Sequence, residues 1–169
     1  LKKNYKNIFI CHLNDDNNIN SLNSNNHFGK IIEHSTNNSN TLRIFLDHRY
    51  DKKIIKKNVK DTIIINANIG IIVRIKASIT LVAYFFKLNK FFKKNKFNNH
   101  ELNKLVKISA CSLPSLFNLN LFYELKNIFY KFNPTNIFLT FEGHCYERII
   151  TLASNNSNTK INTFAYPHG

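Results

Sequence analysis

Two groups of titratable side chains lie near the carboxyl end of this 169-residue sequence, and each follows a run rich in β-branched and aromatic residues. The first group is Glu142-Gly143-His144-Cys145, and the second is His168-Gly169. A carboxylate can deprotonate a hydroxyl, and an imidazole can accept or donate a proton near neutral pH. The residue types therefore predict acid–base chemistry, with Glu142 and His168 as the candidate catalytic residues.

The elements around these groups predict how they are brought together. Residues 136–141 have a strand pattern, 145–154 a helical pattern and 161–166 a second strand pattern. Strands that alternate with helices predict an α/β fold with a Rossmann-like parallel sheet flanked by helices. Neighbouring parallel strands lie about 4.8 Å apart, and ligands bind outside their carboxyl ends. We therefore expect the two groups to meet at one pocket.

The upstream part of the chain predicts further elements of the same fold. Candidate strands lie at 7–13, 42–46 and 61–67, where β-branched and aromatic residues cluster. Candidate helices lie at 71–96 and 100–110, and a third begins at Leu113. This last helix is expected to end at Asn133-Pro134, because proline disfavours a helical conformation in the residue before it.

The start of the predicted 145–154 helix supplies the candidate substrate-binding residues: Gly143, His144, Glu147, Arg148 and, after the last strand, Gly169. Gly143 gives backbone freedom and room for a ligand, and the helix N-terminus favours an anion. Arg148 is unfavourable so near that terminus, which indicates a carboxylate or phosphate partner. In the alternative interpretation, these residues have structural roles only: Glu142 caps the helix, Glu147 interacts favourably with the helix dipole and His168 begins a turn.

Segment 71–96 predicts a basic amphipathic helix. Ile72, Ile75, Ile79, Val82 and Phe86 recur at steps of three and four residues, and lysines fill much of the remainder. Arg74 and Lys76 interrupt the run too early for a transmembrane span. Packing of the apolar stripe into the core is the favoured interpretation. Binding to an anionic membrane surface is the alternative.

Composition narrows the possible partners and chemistry. The net charge is +14, but lysine outnumbers arginine, and the abundance of Asn, Lys and Ile is typical of an AT-rich genome. Because base and phosphate recognition usually favours arginine, a nucleic-acid partner is not favoured. Cys11, Cys111 and Cys145 lack the spacing of a metal or disulfide site, so we expect no metal and reduced cytoplasmic thiols.

The carboxyl-terminal segment resembles bacterial surface-carbohydrate biosynthesis proteins of the capsule and O-antigen type, which are similar to GT-B glycosyltransferases. The resemblance covers residues 141–169: an acidic residue and glycine, Glu147-Arg148 at a helix start, then a strand ending in an aromatic, a polar residue, histidine and a small residue. Tyr146 and Pro167 depart from the pattern, which usually has Trp and Gln there. His144 and Cys145 fall in its variable part.

The resemblance implies one half of a two-domain enzyme that transfers a sugar from a nucleotide donor to a glycan or lipid-linked acceptor. The N-terminal half would hold the acceptor. Because the chain begins at Leu1 and ends directly after His168, we expect residues 1–169 to be a single α/β domain, incomplete at both ends. The donor half would be absent, so no cofactor is expected on this fragment and the fragment alone would be inactive. The expected location is cytoplasmic, peripheral to the inner face of the cell membrane.

Two other functions remain open from the sequence. A non-catalytic basic α/β module would bind anionic lipid or nucleic acid without using Glu142 or His168. A hydrolase would use Glu142 or Cys145 and would need no nucleotide sugar.

Overall fold

A computed structural model describes most of the chain. The described residues are 5–12, 28, 40–47, 61–66, 70–95, 99–141 and 143–167. They divide into two compact units, a sheet unit formed by Leu1–Asn68 with Leu125–Gly169 and a helical unit formed by Ile69–Glu124.

The sheet unit contains five parallel strands, which confirms the predicted α/β fold with a Rossmann-like parallel sheet. The strands are β1 Asn7–His12, β2 Thr41–Leu46, β3 Thr62–Ile65, β4 Asn136–Phe141 and β5 Asn162–Pro167. Their spatial order is β3-β2-β1-β4-β5, and every neighbouring pair is parallel. The chain therefore builds the sheet outward from β1 in one direction and then returns to add β4 and β5 on the other side of β1.

Both faces of the sheet are apolar, as expected for strands covered on two sides. Because side chains alternate along a strand, Ile8 and Ile10 point to one face, and Phe9 and Cys11 point to the other. All four are buried. Phe9 stacks on Phe138 across the β1–β4 pair, with 4.7 Å between ring centres. Paired aromatic residues and alternating burial thus fix the register of the central strands.

Helices account for much of the remaining described chain. They are α1 Ile71–Lys94, α2 His100–Ala110, α3 Leu113–Phe132 and α4 Cys145–Asn155. The predicted helix bounds agree to within about two residues, the accuracy with which helix ends are usually assigned. α4 joins β4 to β5, and the hydroxyls of Ser154 and Thr163 lie 3.1 Å apart where α4 packs on the sheet.

The ends of α2 and α3 have identifiable causes. Asn99 caps α2 by accepting a hydrogen bond from the Leu102 N–H at 2.9 Å. α3 ends as predicted at Asn133, whose φ of 49° is left-handed and whose N–H donates to the Phe129 carbonyl at 2.8 Å. Asparagine tolerates this conformation, and Pro134 prevents the helix from continuing.

The apolar stripe of α1 is not in the core, contrary to the favoured sequence interpretation. Ile72 and Phe86 are each about two-thirds exposed, whereas the buried residues of α1 are Val73 and Ala77. The periodicity correctly predicted a helix. It did not indicate which of the two apolar sides of α1 packs against the rest of the protein. No described helix by itself is long and apolar enough to cross a membrane, although α2 and α3 pass the same length and composition test as a bent pair.

Candidate functional site

The strand order reverses between β1 and β4, which places a topological switch point at their carboxyl ends. The chain leaves β1 toward β2 on one side, and β4 continues toward β5 on the other side. Connections that leave two such strands in opposite directions usually leave room for a ligand outside the strand ends. This topological switch point is where open α/β sheets bind ligands.

Three aromatic side chains meet at this switch point. His12 is the last residue of β1, His144 immediately precedes α4, and Tyr146 lies in the first turn of α4. The ring centres of His12 and His144 are 5.7 Å apart, and the His12 ring centre lies 4.0 Å from that of Tyr146. The His144 ring stacks on Tyr146, with centres 5.6 Å apart and 26° between planes. We call these three residues the switch-point cluster.

The three residues of the switch-point cluster differ in burial. Tyr146 is buried and its hydroxyl lies 3.1 Å from the Thr140 hydroxyl, which is also buried. This bond fixes the phenol ring against the end of β4. His12 is half-buried and His144 is exposed. Tyr146 therefore supports two imidazoles, of which that of His144 is the more exposed.

Gly143 and Glu147 shape the turn from β4 into α4. Gly143 has a φ of 83°, a left-handed conformation that non-glycine residues rarely adopt. A side chain added there would meet nothing within 4 Å, so the glycine is required by backbone conformation and not by close packing. The buried Glu147 carboxylate accepts a hydrogen bond from the Gly143 N–H at 3.1 Å. Glu147 thereby satisfies one of the amides at this helix end.

Glu147 and Arg148 also line a cavity of about 430 Å³ between α4 and strands β4 and β5. Its walls are largely apolar and include Leu139, Phe141 and Leu152. Arg148 is exposed, so its guanidinium can reach a ligand at the mouth of this cavity. The predicted substrate-binding residues Gly143, His144, Glu147 and Arg148 therefore surround the start of α4, with Glu147 already engaged by the backbone.

The predicted catalytic residues, Glu142 and His168, lie outside the described residues, as does Gly169. The strands that precede them are described. β4 and β5 are neighbouring and parallel, and their last residues, Phe141 and Pro167, are partners in the register. The predicted adjacency of these two strand ends is thus confirmed, while the roles of Glu142 and His168 remain predictions.

His12 was not identified from the sequence as a site residue. It ends a predicted strand, as Phe141 does, but the strand order that puts β1 beside β4 cannot be read from local pattern. The available signal was a histidine at the carboxyl end of the first strand of an α/β chain, a position that often faces the crevice. Tyr146 was noted for its departure from the family pattern, and its contact with His12 was not foreseen.

Two cysteines lie at this edge of the sheet, Cys11 buried and Cys145 exposed. Burial raises the pKa of Cys11 to about 12, with the positive charge of Arg43 opposing the rise. The thiol is therefore protonated and shielded at neutral pH. Burial in turn lowers the pKa of Arg43, and the negative charge of Asp61 opposes that shift. Cys145 is exposed at the first residue of α4, beside His144.

A metal site is not evident in the part of the chain that the structure describes, where no three His, Cys, Asp or Glu side chains are grouped to hold an ion. The described cluster contains two imidazoles and a phenol, a set suited to proton transfer and to hydrogen bonds with hydroxyl groups. Comparison with protein-family models, with curated protein sequences and with solved structures found no match.

Proposed function

We propose that the sheet unit is the acceptor-binding half of a glycosyltransferase-like enzyme of cell-surface polysaccharide biosynthesis. The acceptor hydroxyl would bind at the switch point between β1 and β4 and lie against the imidazole of His144. His12 would support that imidazole from the side of β1. Glu142 and His168 would complete the site as the predicted catalytic acid–base residues. A nucleotide-sugar donor would be held by a second half.

The observation that carries this proposal is the switch-point cluster. Two histidines from separate elements meet at the edge of the sheet where α/β proteins bind ligands. Their rings rest on a tyrosine that is fixed by Thr140. An imidazole can take the proton of an attacking hydroxyl, which is what transfer to a sugar acceptor requires.

The size and lining of the cavity beside α4 favour a lipid-linked acceptor over a free glycan. A volume of about 430 Å³ is within the range of small-molecule sites, and its mostly apolar walls suit an acyl or prenyl chain. Arg148 is placed to bind a phosphate that joins lipid and glycan, because its guanidinium donates hydrogen bonds in a fork. The acceptor would thus span from the cavity to His144.

The test measures acceptor binding by the chain itself. Isotope-labelled protein is titrated with oligosaccharides and with short polyprenyl-phosphate-linked oligosaccharides, and histidine ring resonances are followed by NMR. Ligand should shift the resonances of His12 and His144. His144→Ala and His12→Ala should each weaken binding by about tenfold, the loss expected for one or two hydrogen bonds.

His100→Ala is the matched control, because His100 is an exposed histidine in the helical unit. The ring resonances of His100 should not shift when acceptor is added. His100→Ala should leave the affinity for acceptor unchanged. In a protein that carries both halves, Glu142→Gln and His168→Asn should abolish sugar transfer with acceptor binding retained. Acceptor binding that persists unchanged in both His12→Ala and His144→Ala would contradict the proposal. Hydrolysis without a nucleotide sugar, lost in Cys145→Ala, would favour the hydrolase alternative.

A further inference from the structure

The helix α1 carries a continuous apolar stripe on its solvent side. Five residues at alternating steps of three and four form it: Ile72, Ile75, Ile79, Val82 and Phe86. Each is more than half exposed. At 1.5 Å per residue the stripe is about 21 Å long. Exposed apolar surface of this extent on one helix usually marks an interaction site.

The packed face of α1 lies on the opposite side of the helix. Successive residues of a helix are rotated by about 100° around its axis, so Val73 and Ala77 project roughly opposite to the stripe. Those two residues are buried, and the Thr80 hydroxyl near them lies 2.6 Å from the Tyr123 hydroxyl within the helical unit. Among the described residues, the stripe therefore contributes less to packing than the opposite face of α1 does.

Positive charge surrounds the stripe. α1 contains Arg74, Lys76, Lys87, Lys90, Lys93 and Lys94, and it contains no acidic residue. Lys76 and Lys87 project beside the stripe, and Lys90 and Lys93 continue its line beyond Phe86, by the same rotation per residue. Lysines beside an exposed apolar strip are one feature of helices that lie in a membrane interface.

The charge of α1 distinguishes between two possible binding partners of the stripe, a second copy of the chain and an anionic lipid surface. A second copy of this chain would bring two α1 helices, each with six basic residues and no acidic residue, face to face, and like charges so placed repel. An anionic lipid surface attracts the same residues, by about 1 kcal/mol for each lysine near it. α1 does not meet the length and composition criteria for crossing a membrane, so binding in the plane of the surface remains.

The other helices of the helical unit also expose apolar side chains. Leu105 and Ile108 of α2 and Leu113 at the start of α3 are all more than half exposed. Lys107 of α2 lies over the Phe92 ring of α1, with 5.8 Å from its nitrogen to the ring centre. Several exposed apolar side chains interspersed with lysines suit a fluid lipid surface better than one rigid groove.

We propose that the helical unit binds the surface of anionic membranes through α1. The stripe residues enter the boundary between head groups and acyl chains, and the lysines contact lipid phosphates. This inference stands independently of the proposed glycosyl transfer, because none of its residues belongs to the switch-point cluster. Together with that proposal, it would bring the sheet unit to the surface where lipid-linked acceptors are found.

The experiment uses the full 169-residue chain and vesicles of two compositions, phosphatidylcholine alone and phosphatidylcholine with phosphatidylglycerol at three to one. The chain has no tryptophan, so Phe86→Trp places a single reporter in the stripe. With anionic vesicles its emission should shift to shorter wavelength and be quenched by brominated acyl chains. Tyr130→Trp is the matched reporter, because Tyr130 is an exposed aromatic of the sheet unit. Its emission should not change.

Affinity is measured by co-sedimentation. Phe86→Ser should lower the partition coefficient into anionic vesicles about tenfold, because it removes a large apolar side chain from the interface. Tyr130→Ser should leave it unchanged. Lys93→Gln should lower it about fivefold, whereas Lys160→Gln, at an exposed lysine before β5, should have little effect. Circular dichroism of each variant confirms that the helices remain folded.

Three outcomes would overturn the proposal. The first is the absence of binding to anionic vesicles, and the second is binding that survives Phe86→Ser. The third is self-association of the chain in sedimentation equilibrium that Phe86→Ser abolishes, without vesicle binding, which would make the stripe an interface between copies. Loss of vesicle binding in Phe86→Ser with glycan binding retained would show that the two proposed activities belong to separate units.

Discussion

The imidazole of His12 lies edge-on to the phenol ring of Tyr146, with 4.0 Å between ring centres and 82° between planes. This contact joins the end of β1 to the start of α4. It depends on the pairing of β4 beside β1, and it lies at the switch point where the strand order reverses. The edge-to-face arrangement is a favourable geometry for aromatic rings, so the contact also restrains His12.

Removing the Tyr146 hydroxyl should destabilise the sheet unit through its buried partner. Tyr146→Phe leaves the buried Thr140 hydroxyl without that partner, at a cost of about 1–2 kcal/mol in the free energy of unfolding. Thr140→Val alone should cost a similar amount. The double variant should cost less than the sum, by about 1 kcal/mol, because both polar groups then disappear together. Urea unfolding of the four proteins measures this coupling, and strictly additive losses would show that the hydroxyls do not interact.

Two glycines with equally open surroundings should respond differently to alanine. Gly143→Ala must hold a φ of 83° and should lower the free energy of unfolding by about 1–2 kcal/mol. Gly70→Ala is the control: its φ is −55°, and a side chain there also meets nothing within 4 Å. It should change stability by less than about 0.5 kcal/mol, because the loss of a favourable N-cap glycine opposes the restriction of the unfolded chain by alanine. Equal losses at both positions would contradict a conformational requirement at Gly143.

Alkaline pH should destabilise the chain through Cys11. Its pKa is about 12 in the folded protein and 9.0 when unperturbed, so above pH 9 the unfolded state loses the thiol proton and the folded state keeps it. The stabilisation is therefore complete below pH 9 and declines by up to about 1.4 kcal/mol per pH unit as pH rises toward 12. Cys11→Ala should have a shallower decline in chemical unfolding between pH 8 and 10.5. Equal slopes in the two proteins would refute the assignment to this thiol.

Thiol labelling gives a second measurement on the same residue. Cys111 and Cys145 are exposed, whereas Cys11 is buried. At pH 8 the native chain should react at Cys111 and Cys145, and Cys11 should react only after unfolding.

Phenylalanines on one face of neighbouring strands should differ in their contribution to stability. Phe9 is buried in β1, and Phe164 of the edge strand β5 is about half exposed, yet both stack on Phe138. Phe9→Ala should cost about 3–5 kcal/mol, because it opens a cavity in the core. Phe164→Ala should cost about 1 kcal/mol, since water can fill the space. A thermal unfolding series measures both, and similar losses would mean that β5 is as well covered as β1.

The sequence determined the elements of this protein and the ends of its strands. Runs of β-branched and aromatic residues indicate strands, and apolar residues that recur at three- and four-residue steps indicate helices. Both kinds of element can therefore be predicted from the local sequence. Pro134 ended α3, and strands interleaved with helices predicted the parallel sheet. The neighbouring ends of β4 and β5 followed from the same argument, because consecutive strands joined by one helix usually pair.

The tertiary structure alone decided which distant residues meet. His12 reaches Tyr146 only through the β3-β2-β1-β4-β5 order, and that order depends on long-range pairing, to which no local propensity contributes. It also decided that Val73 and Ala77 of α1 are buried, leaving the more regular stripe from Ile72 to Phe86 exposed. Helical periodicity reports an apolar face, but burial depends on what the rest of the chain brings against it.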